Sequence, residues 1–431
     1  MKFSICNLGC KVNAYEAESI AHTMEQKGWE RVDFERPADA TMIFTCAVTN
    51  MAAQKSRKMM HRAKRLSPEG IVAMVGCYAE VDQGLLEDAE IVVGTKEKKR
   101  LPEFIDQYLA TGEKIRVKGD LQEAVFDVME TNSFENKSRA YLKIQDGCNQ
   151  FCSYCVIPYA RGRERSMAPD EVISSMKVLA EQYPEVVLTG IHTGRYGREF
   201  NVSLTDIMKR ILKEVPQLYR LRISSIEVTE LDDEFIAFMK DEPRIARHLH
   251  IPLQSGCDSV LQRMHRPYTT QEYYEKIEKI REEIPDVSIS CDLIVGFPQE
   301  TEKEFEETYA FLQKCRFSFL HVFPYSMRNG TVAADMPCQI DPQIKKQRAQ
   351  KCIALSGKLY DTYQTQWIGK EADVIVEQCK EEGSKGHSSQ YFPVTIAENL
   401  TPKGIYRVKV DRYENHQLFG SVIEKRVYEA E

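Results

Sequence analysis

At 431 residues the chain is too long for one ordinary domain and suits about three. It is 42% hydrophobic and 29% charged, which excludes a disordered chain, and no apolar run reaches the roughly 20 residues that a membrane-spanning helix needs. Its formal net charge of −7 gives no global basic field, so a nucleic-acid partner would have to use local patches. The opening MKFSICNLGCK has neither the length nor the cleavage site of a secretory signal, and the expected location is the cytoplasm, with no membrane partner. Thirteen cysteines in such a chain point to metal or redox chemistry rather than disulfides.

Short apolar runs alternate with amphipathic ones over residues 1–118: KFSICNLG, TMIFTCAV, IVAMVGC and AEIVVGT read as strands, with helical segments between them. This rhythm predicts an open parallel sheet of flavodoxin-like type, covered on both faces. Residues 119–138 are mixed and polar and read as a linker. Six further strand-then-helix units follow in 139–366, with strands at RAYLKIQDG, EVVLTGI, YRLRISSIEV, HLHIPLQSG, VSISCDLIVGF and FSFLHVFPYS. They predict a partial (β/α)6 barrel. Thr301 with Glu304 and Thr269 with Glu272 have capping-box spacing, and Asp341-Pro342 opens a long helix. In 367–431, ADVIVEQ, YFPVTIA, GIYRVKVDRYE and LFGSVIEKRVY alternate apolar and polar residues, predicting a small antiparallel β-barrel.

The strongest chemical signal is the run Cys148-x3-Cys152-x2-Cys155 after the first strand of the second block. Three thiolates in one loop can hold three irons of a [4Fe–4S] cube and leave the fourth open to a small molecule, whereas ferredoxin-type runs close the cube with a fourth cysteine. An open metal position goes with chemistry. The bland alternative is a zinc site, which would want a fourth Cys or His nearby. Cys10, Cys46 and Cys77 lie far apart in sequence, yet each falls at or just after the C-terminal end of a predicted parallel strand, the edge where open α/β sheets bind ligands. They form a second candidate cluster site, and buried strand cysteines are the competing reading. Each site has a Gly-Cys pair (Gly9-Cys10, Gly76-Cys77, Gly147-Cys148), which would let the backbone approach a bulky inorganic group.

The cysteine run at the mouth of a six-unit barrel resembles the radical S-adenosylmethionine (SAM) superfamily, in which SAM chelates the open iron and one electron splits it to a 5′-deoxyadenosyl radical. LGCKVNAYE, FTCAVTN and VGCYAE, with CNQFCSYCVIPYARGRERS, resemble the cysteine motifs of the methylthiotransferase family over essentially the whole chain, ending in an RNA-binding TRAM barrel. Within it, GCKVNxYE and TGIH are similar to the branch acting on N6-threonylcarbamoyladenosine in tRNA, whereas the isopentenyladenosine branch more often shows GCQMN. The resemblance implies two [4Fe–4S] clusters, on Cys10, Cys46 and Cys77 and on Cys148, Cys152 and Cys155, with S-adenosyl-L-methionine as a cofactor. The first cluster would hold the sulfur that one SAM methylates, and the second would make the radical from another.

It further implies that Tyr154 packs near the adenine, that Gly190 and Ile191 in TGIH stand where the family binds the SAM amino group, and that Asp292 opens a fifth-strand motif near the adenine. TGIH departs from the usual Gly-Gly-Glu there. Ser225 and Gln254 end barrel strands, where barrel enzymes place functional groups. The implied partners are a tRNA anticodon stem-loop and an electron donor such as flavodoxin or ferredoxin. Three basic patches suit phosphate contacts: residues 54–66 with six Lys/Arg, the triplet Arg161, Arg163 and Arg165, and Lys345, Lys346, Arg348 and Lys351. Tyr391, Phe392, Tyr406, Tyr413 and Phe419 could stack bases or fill the last barrel. No histidine has a partner pattern, although His192 ends a barrel strand. Rival readings are a zinc-stabilised RNA-binding protein, and a related enzyme acting on isopentenyladenosine or on a ribosomal-protein aspartate.

Overall fold

A run of apolar residues long enough for one strand, followed by an amphipathic helix, can bury itself only in a parallel sheet with helices on both faces. The N-terminal part does this. In the computed structural model, which describes residues 1–426 except 122–124, 136 and 382, β1 (Lys2–Asn7), β2 (Glu30–Arg31), β3 (Ala40–Thr45), β4 (Ile71–Gly76), β5 (Ile91–Val93) and β6 (Ile115–Val117) make one sheet in the order β2-β1-β3-β4-β5-β6. Every neighbouring pair is parallel, and the order is that of the flavodoxin-like fold. Strands β3 and β4 are buried along their whole length. Alternate residues feed opposite faces: Met42, Phe44 and Val75 enter one core, while Ile43, Val72 and Met74 enter the other.

Part of the predicted linker (122–124 and 136) lies outside the described residues. Beyond it, β7 (Ala140–Lys143) is followed by a short antiparallel pair, β8 (Gln145–Asp146) and β9 (Arg165–Ser166), which clasps the loop carrying the cysteine run. Strands β10 (Glu185–Thr189), β11 (Arg220–Ile223), β12 (His248–His250), β13 (Ser288–Val295) and β14 (Phe319–Pro324) complete six parallel strands. They form two three-stranded sheets, β7-β10-β11 and β12-β13-β14, joined by a parallel bridge between Leu221 and Ile245. The arc is an incomplete barrel, as six units without the remaining two require. Both expected capping boxes are present, and Ser203 with Asp206 adds a third. The helix Pro342–Thr365 starts at Asp341, whose carboxylate accepts from the amide of Gln343.

The C-terminal strands β15 (Glu371–Lys380), β16 (Gly383–Ser388), β17 (Pro393–Ile396), β18 (Ile405–Glu414) and β19 (Gln417–Arg426) close a barrel in the order β15-β16-β17-β19-β18. All pairs are antiparallel except β17 with β19, which is parallel. The end of the last predicted strand, Val427-Tyr428, lies outside the described residues. This small barrel sits against the end of the larger one at which the parallel strands begin. Arg220 donates to the carbonyl of Asp373, Arg222 to that of Ser388, and the amide of Arg247 to the hydroxyl of Ser389.

At that end one buried carboxylate, Glu185, accepts from Arg222 at 2.7 Å and Arg220 at 3.2 Å, with Arg139 at 3.7 Å. Burial alone would raise its pKa, but the arginines overcome this and hold it well below the usual carboxylate range. Stability from this group is therefore present above the ordinary glutamate pKa and lost as pH falls towards the depressed folded value. Glu185→Gln leaves Arg220 and Arg222 without a carboxylate, while Arg139 keeps Glu377, and we expect it to cost about 3–5 kcal/mol in denaturant unfolding. Limited proteolysis should show the C-terminal barrel loosened first.

Candidate active site

The C-terminal ends of the adjacent strands β1, β3 and β4 lead directly into Cys10, Cys46 and Cys77. The three thiols lie within electrostatic reach of one another: Cys77 feels both Cys10 and Cys46, and Cys46 feels Cys10. Cys10 is exposed and caps the helix Lys11–Gln26, Cys46 is half-buried and Cys77 is buried. Burial pushes the Cys77 thiol up to about 11, and Cys46 is raised too, against the pull of Arg161.

The second trio stands in the loop after β7. The Ser153 amide donates to the carbonyl of Met264 and its hydroxyl to that of Arg263, which anchors the loop to the barrel rim. Cys152 feels Cys148, and Cys155 feels both; burial drives the Cys155 thiol up to about 12. Arg266 donates to Cys152 Sγ at 3.4 Å and also pairs with Glu227. His192 Nδ1 lies 3.7 Å from Cys148 Sγ, with Glu230 3.5 Å from its other nitrogen. Burial would lower the His192 pKa, but Cys148 and Glu230 raise it to about 9.

Both trios fit a group that replaces the thiol protons with positive charge. Beneath the first, Arg161 is fully buried. It donates to Cys77 Sγ at 3.2 Å, to Glu16 at 3.1 Å, to Asp146 at 3.0 Å and to Asn13 at 2.6 Å. Lys143 reaches Glu16 at 2.9 Å, Lys98 reaches it at 2.5 Å, and Arg165 reaches Asp146 at 3.2 Å. Four buried cations thus face two buried carboxylates, with the half-buried Asp127 at the margin. The surplus positive charge suits an anionic ligand set of three thiolates and bound sulfide. Among the described residues no three His, Cys, Asp or Glu stand close enough to hold a single metal ion. A cube that takes one thiolate at each of three corners needs a wider triangle.

Between the two trios lies a cavity of about 1260 Å³. Cys10, Cys148, Cys152 and Cys155 all line it, and so do Tyr154, Gly190, Ile191, Ser225, Gln254 and Asp292. Cys46 and Cys77 are not among its lining residues. Gln145 fixes the turn after β10: its side-chain oxygen accepts from the amides of Ile191 at 3.0 Å and His192 at 2.7 Å. Those two amides are thereby used, and the carbonyl of His192 accepts from the amide of Arg195 at 3.0 Å. Gln254 has a positive φ of 67° and bridges to Leu293, so its backbone belongs to the barrel rim. Asp292 pairs with His250 at 3.2 Å. Tyr154 packs against the small apolar cluster that contains Met264, Phe297 and Tyr325.

Several expectations need correction. Arg161 and Arg165 are buried in the ion network, leaving Arg163 as the exposed member of that triplet. Arg348 is buried against Glu300 at 2.7 Å, and Lys351 pairs with Glu306 at 2.6 Å. Neither group presents a phosphate-binding row. On the helix Asn50–Leu66, Arg62 pairs with Glu35 and Lys64 with Glu90, while Lys55, Lys58 and Arg65 stand exposed. Phe392 and Tyr406 fill the C-terminal barrel, and Tyr391 turns instead to the larger barrel, stacked on His248 at 5.1 Å. The glycines preceding cysteines make room for protein. A Cβ on Gly147, at φ +72°, would stand 2.0 Å from the carbonyl oxygen of Arg163, and one on Gly76 would stand 3.3 Å from that of Thr45. Sequence reasoning singled out His192 as a strand-end residue but gave it no partner, and it missed Arg266 and Gln145 as neighbours of the site, because the partners that identify them are distant in the chain.

Comparison with known proteins agrees with this arrangement. Residues 142–312 match the radical SAM superfamily and residues 2–94 match the uncharacterized protein family UPF0004. A threonylcarbamoyladenosine tRNA methylthiotransferase, MtaB, of Bacillus subtilis is 40% identical over 94% of this chain and 92% of its own length. That of Aquifex aeolicus is 37% identical over 87% and 93%. A tRNA-2-methylthio-N(6)-dimethylallyladenosine synthase of a Thermoanaerobacter species is 32% identical over 90% and 84%. The solved radical SAM methyltransferase TsrM of Kitasatospora setae superposes with a TM-score of 0.58 at 15% identity, covering 77% of each chain, a likeness of fold. With Cys10 of one cysteine trio and all three cysteines of the other on one cavity, and such relatives along nearly its whole length, the chain belongs to the radical SAM methylthiotransferase family.

Proposed function

We propose that the protein adds a methylthio group to carbon 2 of N6-threonylcarbamoyladenosine next to the anticodon of tRNA. The observation that carries this reading is the shared cavity: thiols from both trios open onto one space large enough for a nucleoside beside a cofactor. The identity to relatives named for that substrate selects the nucleoside. The work divides among 1–118 with the Cys10, Cys46 and Cys77 site, 139–366 with the Cys148, Cys152 and Cys155 site, and 367–431 as a TRAM barrel for RNA.

The bound clusters and S-adenosyl-L-methionine supply the one-electron chemistry that an unactivated ring C–H bond requires. The chain's own residues position and shield. Cys148, Cys152 and Cys155 hold one cluster from a loop pinned to the rim, with Arg266 and His192 fixing two of the thiols. Gln145 sets the turn at Gly190 and Ile191 so that backbone carbonyls there can take the SAM ammonium. Tyr154, Ser225, Gln254 and Asp292 complete the SAM pocket. Cys10 presents the sulfur-carrying cluster to the same space, with Cys46 and Cys77 behind it, and an external flavodoxin- or ferredoxin-type donor delivers electrons. Expression in a strain lacking its own enzyme should restore 2-methylthio-N6-threonylcarbamoyladenosine in nucleoside mass spectra of tRNA. Restoration of the 2-methylthio isopentenyl nucleoside instead would overturn the substrate assignment.

A further inference from the structure

Lys11, Arg139 and Arg222 line the cavity together with His248. Lys11, the residue after Cys10, lines the cavity and has no carboxylate partner among the described residues. It lies within electrostatic reach of Arg222, Cys10, Arg139 and Asp292. It also occupies the first turn of a helix that has no acidic residue there, so its charge adds to the positive end of the helix dipole. Arg222 is 3% exposed and spends its Nε and Nη2 on Glu185 and on the carbonyl of Ser388; Nη1 is buried without a partner. His248, whose Nε2 meets the Ser290 hydroxyl, likewise leaves Nδ1 buried and unpaired. Tyr391 of the C-terminal barrel closes this end, stacked on His248 and lying 4.9 Å under the Arg222 guanidinium.

A buried polar atom left unpaired is costly unless a ligand completes it. A cavity with an unpartnered ammonium, an open guanidinium nitrogen and a free imidazole nitrogen is complementary to a carboxylate. A purely apolar substituent would leave all three unsatisfied. We infer that Lys11 and Arg222, with His248 beside them, receive the carboxylate at the tip of the substrate's N6 side group, and that Lys11 is the residue by which this site selects an acidic substituent. This deepens the substrate reading above and rests on it.

The test is binding of anticodon stem-loops to the full chain, cluster-loaded and cluster-free, under anaerobic conditions. Four probes differ only at the target adenosine: unmodified, isopentenyl, threonylcarbamoyl, and the methyl ester of threonylcarbamoyl. The wild-type chain should hold the acid about 10- to 100-fold more tightly than its ester, the range expected for a charged hydrogen bond. Lys11→Gln should bring acid and ester together, and Lys11→Arg should restore most of the difference. If Lys11→Gln keeps the full preference for the acid, or if wild type binds ester and acid alike, the assignment of Lys11 is overturned while the substrate reading stands. Tightest binding of the isopentenyl probe by wild type would overturn both.

Discussion

Arg161→Met should be the most destabilising single substitution in the ion network at the first cysteine site. The side chain is fully buried, and its donors bind Cys77, Asn13, Glu16 and Asp146 together. Burial raises the pKa values of Glu16 and Asp146, yet the surrounding cations outweigh it and keep both well below the ordinary carboxylate range. Methionine fills much of the volume but answers none of the charge. Breaking a buried pair by removing one partner costs about 3–5 kcal/mol. Lys143, Lys98 and Arg165 remain to share the carboxylates, so the lower half of that range is expected in denaturant unfolding of the cluster-free chain. The same substitution removes the cation touching Cys77. Iron retained at the first trio should therefore fall, while the second trio still fills. Unchanged stability and unchanged iron content would show that the network is not what holds these carboxylates.

Cys10→Ala should separate the two halves of the reaction. Cys10 is exposed, and its side chain makes no capping hydrogen bond to the helix it precedes, so the fold should change by no more than about 0.5 kcal/mol. Iron in reconstituted protein should drop from about eight to about four per chain, since two cubes become one. Cleavage of SAM should stay measurable and methylthiolated product should vanish. Equal loss of both would contradict the division of labour between the trios. Cys152→Ala is the converse control, because that thiol belongs to the loop beside Arg266 and lines the shared cavity.

The fold was legible wherever hydrophobic periodicity was strong. The long strands of the three parallel sheets and the capping boxes at Thr269 and Thr301 follow from residues close in sequence. Two kinds of element were not. β2 and β6 have two and three residues, too few to display an alternation. β16 reads GSKGHS, which looks like a loop. Its inward positions are Ser384, Gly386 and Ser388, buried beneath neighbouring strands, and small residues are what a tight barrel admits there. At the site, the six cysteines could be named from motif and strand-end position. The charges around them could not. A run such as RGRER looks like a surface patch until Glu16 and Asp146 are brought against Arg161 and Arg165, and Glu16 is 145 residues from Arg161.

Surplus buried cations at the first trio would tie the stability of the chain to its loading with iron and sulfide. Without its inorganic partner, that region keeps repelling charges together in a dry interior; once filled, it gains the compensating anions. Loading is then linked to folding by mass action, and the empty chain opens more often than the filled one. Protein made during iron scarcity should accordingly be shorter-lived in the cell than the same protein made in plenty, so that its abundance follows metal availability without a dedicated regulator.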